Sequence, residues 1–107
     1  MPDAFHPWRM NAEKSYMAQA LEQAELAAAR GEVPVGAVLV DPAIGEVIAA
    51  DGNRTREYDD PTAHAEMLVI RAGAGAKGKE RLNGFDLYVT LEPCPMCAQA
   101  ISFARLR

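Results

Sequence analysis

The sequence predicts a three-layer α/β domain with the element order helix, strand, strand, helix, strand, helix. Three observations carry that reading. A long Ala- and Glu-rich segment with apolar residues near helical spacing comes first. Two β-branched apolar runs, separated by a short turn, follow it. Two later segments each open on a capping residue followed by proline. Helices and strands interleaved in this way bury a sheet between helical layers. The chain has 107 residues, the size of one small domain, and it shows no internal repeat, linker or low-complexity segment.

"NAEKSYMAQALEQAELAAAR" (11–30) is the first helix, with Gly31 as its stop. "VPVGAVLVD" (33–41) is nearly all apolar, so it reads as a buried strand. "DPAIG" supplies a turn into "EVIAADGN" (46–53), close enough to pair with the first strand as an antiparallel hairpin. "RTREYDD" is loop-like, and Asp60 then caps a helix "PTAHAEMLVIRAGAGA" with Pro61 at its first position, fraying at Gly73 and Gly75. "FDLYVTLEP" is the third strand, and Cys94 with Pro95 opens the last helix, "PMCAQAISFAR".

Composition narrows the function. Half of the residues are apolar and 24% are charged, as in an ordinary soluble globular protein. No run approaches the roughly 20 apolar residues that a membrane span needs. The start, "MPDAFHPWRM", lacks a basic segment followed by an apolar one, so no signal peptide is expected. The default compartment is therefore the reducing cytoplasm, where a structural disulfide is disfavoured. Net charge is −4, unevenly spread. Residues 1–52 carry three basic and eight acidic side chains, residues 53–107 eight and seven. That is a weak basic footprint for a nucleic-acid binder.

The chemistry concentrates in "EPCPMC" (92–97), which holds both cysteines. Cys94 and Cys97, three apart in a helix's first turn, present their thiols on one face. His64 and Glu66 are two apart, and on the body of a helix such positions do not face one point. Both can approach one only off the helix N-terminus. His64, Cys94 and Cys97 then make an N/S/S set suited to tetrahedral zinc. Its open fourth position suits a water whose pKa falls to about 7, with Glu66 placed to shuttle the proton. Two other readings stay open at this level. "CPMC" also suits a redox pair, although such folds carry CxxC near their first strand. A structural zinc closed by His6, the one other histidine, would also use these ligands.

"HAE" (64–66) with "PCPMC" (93–97) matches the H-x-E…P-C-x-x-C signature of zinc deaminases. "EVPVGAVLV", "GNR", "DPTAHAEM" and "LYVTLEPCPMCAQAISFAR" resemble the bacterial tRNA-specific adenosine deaminases, members of the cytidine/deoxycytidylate deaminase superfamily. The resemblance runs from about residue 12 to the end, and guanine and cytosine deaminases share parts of it. It implies a cytidine-deaminase-like fold, one Zn2+ per chain on His64, Cys94 and Cys97, and Glu66 as general acid/base. It also implies Asn53 as a base-reading side chain, with Val35 and Ala65 lining the base pocket. By turn chemistry alone "DGN" reads first as a turn. The implied partners are a tRNA anticodon stem-loop and a second copy of the chain, with no membrane. The implied reaction is conversion of adenosine to inosine at the wobble position. A deaminase of free guanine, cytosine or a nucleoside is the rival enzyme, and a catalytically silent zinc-binding subunit the rival outside enzymes.

Two departures from the family pattern stand out. Gln99 occupies a position where the family usually has Gly, so a close helix contact there would differ. The family pattern also continues with two strands and a terminal helix past the point where Arg107 stands, so the domain of residues 1–107 is expected to be C-terminally incomplete. Arg54 and Arg56, just after Asn53, divide evenly between two readings: contacts to phosphates beside an inserted base, or a solvated loop balanced by Glu57, Asp59 and Asp60.

Overall fold

In the computed structural model the expected six elements occur in the expected order. They are α1 (Pro7–Ala29), β1 (Gly36–Asp41), β2 (Glu46–Gly52), α2 (Ala65–Lys77), β3 (Asp86–Val89) and α3 (Pro95–Ala104). The structure describes residues 7–91 and 93–106, and the side chains of α1 from residue 15 onward. The strands form one antiparallel sheet in the order β2-β1-β3. β1 is central, and side-chain alternation along it sends successive residues to opposite layers. Val38 and Val40 pack with Ala20, Tyr16 and Met17 of α1. Ala37 and Leu39 pack with Ala65 and Val69 of α2, Leu82, and Ala104 of α3. This two-sided burial explains the unbroken apolar run in the sequence.

A pair of glycines decides how closely α1 lies on the sheet. Gly36 and Gly52 face each other across the β1–β2 ladder. A Cβ at Gly36 would run into the backbone of Ala20 and Ala24, and one at Gly52 would come within 2.6 Å of the Gln23 carbonyl. Opposite this notch α1 presents buried Ala20, Ala24 and Ala27, a small-residue face at helical spacing.

The helix and hairpin ends follow local chemistry. Gly31 takes a φ of +83° just beyond α1, and the Glu32 N–H donates back to the Ala27 carbonyl at 2.9 Å, closing the helix as expected. Residues 42–45 turn between β1 and β2, with the Ala43 N–H donating to Asp41 Oδ1 at 3.1 Å. The first strand is shorter than its apolar run suggests, because residues 33–35 are irregular and precede the ladder. "DGN" is not a tight turn. β2 runs through Gly52, and the Asn53 N–H donates to the Val35 carbonyl at 3.1 Å.

One helix start needs correcting. Asp60 and Pro61 do not open α2, whose N-cap is His64. Asp60 Oδ1 accepts from the Thr62 N–H at 2.8 Å and the Thr62 hydroxyl at 2.7 Å, which is the bonding of a local turn. The chain then returns so that the Ala63 carbonyl accepts from the Arg54 N–H at 3.0 Å. A cap and an Asx-turn use the same side-chain bond, and only the tertiary contact to Arg54 separates them. At its other end α2 does not fray at Gly73 and Gly75. It continues to Lys77 and closes on Gly78 at φ +62°. The expected third strand, 85–93, is ordered as a ladder only over Asp86–Val89, with Thr90 exchanging two further bonds with Gly36.

Candidate active site

α2 and α3 lie on the same face of the sheet and begin at one place. His64 is the N-cap of α2 and Cys94 the N-cap of α3, each extended in backbone. Pro95 at the first position of α3 is as the sequence predicts. His64 forms no capping hydrogen bond; its ring turns inward instead. Nδ1 stands 3.6 Å from Cys94 Sγ and 3.5 Å from Cys97 Sγ, and the three donor atoms all lie within 4.8 Å of one another. A tetrahedral ion with Zn–N near 2.0–2.1 Å and Zn–S near 2.3 Å would separate N and S by about 3.6 Å. The spacing of the set therefore fits a zinc ion. Both thiols are free, Cys94 half-buried and Cys97 fully buried. His6, the alternative fourth ligand, lies outside the described residues.

The two thiols differ electrostatically. The Cys97 N–H beside it holds the Cys94 thiol below its ordinary pKa, against desolvation, with help from the Cys97 side chain and the Met96 N–H. Burial pushes the Cys97 thiol well up, and the neighbouring Cys94 and Glu66 push it further. A thiol kept protonated by burial is one that a metal cation would deprotonate on binding.

A cavity of about 240 Å3 opens beside the cluster, lined by Val33, Val35, Asn53, Glu66 and Leu91 together with His64 and Cys94. Glu66, in the first turn of α2, is only 4% exposed. Its Oε1 is buried with no hydrogen-bond partner among the described residues. An unpaired carboxylate oxygen in such a place is costly to keep, and it points to a group the site is built to receive. Asn53 is also buried, at 7% exposure. Its Oδ1 accepts from the Ala65 N–H at 2.8 Å, the first N–H of α2. That bond fixes the amide, since Ala65 needs an acceptor, and leaves Nδ2 without a partner among the described residues. The helix cap missing at His64 is thus supplied by a residue eleven positions earlier.

The candidate residues separate under this geometry. His64, Glu66, Cys94, Asn53 and Val35 share the cavity, and Cys97 lies behind it against His64 Nδ1. Ala65 is not among the lining residues. Its side chain belongs to the core with Val69 and Leu39, and its contribution is the N–H that holds Asn53. Val33 and Leu91 are wall residues that sequence patterns alone do not reveal. Both are large apolar side chains left exposed, at 55% and 61%, and both flank ladders whose ends no local signal marks. Gln99 is exposed on the outer side of α3, so within this chain no tight helix contact depends on it.

Arg54 and Arg56 are held within the protein. Of the three acids expected to balance them, only Glu57 pairs with either among the described residues, and Asp60 pairs with Arg71 instead. Arg54 Nε donates to Asp51 Oδ1 at 2.8 Å and Nη1 to Glu57 Oε2 at 2.7 Å, which raises its already high pKa. Arg56 Nη1 donates to the Gly31 carbonyl at 2.9 Å. The loop itself hangs on Glu32, only 6% exposed, which accepts from the Arg56 N–H, the Glu57 N–H and the Thr55 hydroxyl at 3.1, 2.9 and 3.3 Å.

The profile of the cytidine and deoxycytidylate deaminase zinc-binding region matches residues 10–107. A tRNA-specific adenosine deaminase of Agrobacterium fabrum is 63% identical over 92 residues, 86% of this chain and 59% of that protein. The Bacillus subtilis protein of the same name is 48% identical over 91% of this chain and 59% of its own length. The chain thus spans 59% of the length of these two curated relatives. A solved structure from work on A-to-I editing at the wobble position of transfer RNA superposes with a TM-score of 0.85 at 61% identity, covering 89% of this chain and 72% of that one. Guanine deaminase from Bacillus subtilis superposes at 0.83 with 37% identity, over 88% of this chain and 59% of that one. The donor set, the signature that spaces it and the fold that assembles it agree, and the chain belongs to the family of the cytidine and deoxycytidylate deaminase zinc-binding region.

Proposed function

We propose that the chain carries the catalytic centre of a zinc-dependent hydrolase that deaminates adenosine to inosine at the tRNA anticodon wobble position. The observation that carries this reading is the buried Glu66 Oε1, unpartnered among the described residues, in one cavity with His64, Cys94 and the free amide NH2 of Asn53. One zinc per chain, held by His64, Cys94 and Cys97, would supply a water acidic enough to attack at neutral pH. Glu66 takes a proton, delivers it to the adenine ring nitrogen, and assists departure of the amino group as ammonia. Adenosine and water thus give inosine and ammonia. Asn53 Nδ2 donates to the base edge, while Val33, Val35 and Leu91 wall the base from water.

Substrate choice rests on the relatives. The relatives described above that are named for tRNA adenosine deamination stand at 48%, 61% and 63% identity, against 37% for the guanine deaminase. A cavity of about 240 Å3 has room for one base, and bases of an anticodon loop splay out without breaking a duplex. The reading extends to a homodimer working in the cytoplasm. No helix among the described residues is long and apolar enough to cross a membrane. The deciding experiment measures inosine formation on an anticodon stem-loop beside ammonia release from free guanine, cytosine and adenosine. Inosine on the RNA alone is the expected result. Release from a free base with none on the RNA would replace the substrate assignment, and no turnover on either by the zinc-loaded protein would point to the silent subunit.

A further inference from the structure

The cations nearest the candidate site are already engaged within the protein. Arg54 is held between Asp51 and Glu57. Arg30 donates to the Asn53 carbonyl at 3.2 Å and lies 3.9 Å from Asp51. Arg56 is bound to the Gly31 carbonyl, and Arg71 reaches Asp60 and Thr62. A phosphate arriving at any of them would compete with an existing partner.

A second set of cations is not so engaged. Lys77, Lys79 and Arg81 fall within five residues where α2 ends, and all three are exposed. Among the described residues none of them is hydrogen-bonded or ion-paired to an acid. Lys77 Nζ has an aromatic neighbour, 5.8 Å from the centre of the Phe85 ring. The three line a cavity of about 780 Å3 together with Leu82 and Phe85, and Glu80 is the one acid in the lining. Three cations outweigh Glu80 and the partial negative charge at the C-terminal end of α2. The apolar wall strengthens their field towards an anion in the groove.

We propose that this groove binds the phosphate backbone of the RNA substrate, away from the reacting base. The inference rests on the RNA reading above and deepens it. α2 separates the groove from His64 by about 20 Å, at 1.5 Å per residue. With one phosphate per roughly 3.4 Å of duplex axis on each strand, that span corresponds to about six stacked nucleotides. The groove therefore meets the stem, and the loop enters the cavity. The weak overall basic footprint is consistent with this division, since one local cluster makes the electrostatic contact.

The test compares the parent with the triple variant Lys77→Ala, Lys79→Ala, Arg81→Ala, using fluorescence anisotropy across a salt series. The probes are a hairpin with a long stem and the same loop on a two-base-pair stem. For the long stem, the slope of log K against log salt should become shallower by about 2 to 3, near 0.9 for each phosphate that the protein no longer neutralises. Binding and deamination of the short-stem loop should be unchanged. An unchanged slope in the folded variant overturns the proposal, and so does equal weakening towards a polyglutamate peptide. Should the triple variant fail to fold, Lys79→Glu alone must weaken long-stem binding more than short-stem binding, or the groove does not hold the stem. A shallower slope without deamination of any RNA would leave the groove standing and sink the proposed reaction.

Discussion

Asn53 caps a helix with one amide atom and, under the proposed function, would read a base with the other. Oδ1 caps α2 through the Ala65 N–H, a contribution of about 1 kcal/mol for a typical cap. Nδ2 is the atom left to a substrate. Asn53→Asp keeps the acceptor and removes the donor, so it should lose less melting temperature than Asn53→Ala while raising KM for the RNA. Asn53→Ala should lose both, and equal melting losses in the two variants would show the division to be wrong. Glu66 is separable in a similar way, since the donor cluster consists of other side chains. Glu66→Gln should keep its zinc and lose at least about a hundredfold in kcat, the low end for general acid–base catalysis. Metal analysis alongside turnover checks this, and a variant that loses zinc but keeps activity would make Glu66 a ligand instead.

At the scale of the elements, the site exists because two helices start at the same point. Their N-cap positions hold His64 and Cys94, residues that could hold a metal and are poor as caps. The sheet that carries them is braced from behind by α1, and this packing depends on the Gly36–Gly52 pair. Gly36→Ala would drive its Cβ into the α1 backbone at Ala20 and Ala24, which no side-chain rotation relieves. The expected loss is about 3 kcal/mol or more, the upper range for overpacking, read as a fall in the urea midpoint. Gly75→Ala meets nothing within 4 Å and serves as the control that should hold or gain stability within α2. A Gly36→Ala protein as stable as the parent would mean that α1 does not seat in this notch.

For the whole molecule, Glu32 ties the layer behind the sheet to the loop that follows Asn53. Burial pushes its carboxyl up, but the Arg56 and Glu57 N–H groups and the Thr55 hydroxyl together outweigh that and hold it below 4.5. Asp60 is lowered as well, by the Thr62 hydroxyl and N–H. A carboxylate with a lowered folded-state pKa binds fewer protons folded than unfolded, so its stabilisation is complete above the unfolded value. It is lost as pH falls below about 4.5 and through the folded value. Thermal melts between about pH 7 and pH 3 should therefore show an acid limb, shallower in Glu32→Gln, with that variant less stable than the parent at neutral pH. An identical acid limb in the variant would remove Glu32 from this role.

The sequence by itself determined the element order, the doubly buried β1, the glycine stop of α1 and the cap-then-proline start of α3. Each is set by residues close together in the chain, where periodicity, backbone preference and capping act locally. It also determined that His64 and Glu66 could meet one point only at a helix start, which follows from helix geometry alone. The tertiary structure decided what distant partners control. It moved the start of α2 from Pro61 to Ala65, because Arg54 and Asn53 hold the intervening turn and the first helical N–H. It assigned Ala65 to the core and brought Val33 and Leu91 to the cavity. It also paired Arg54 with Asp51 and Glu57 while leaving Lys77, Lys79 and Arg81 without an acid among the described residues. Charge is additive along a sequence, but whether a cation is available to a partner depends on which acids the fold places beside it.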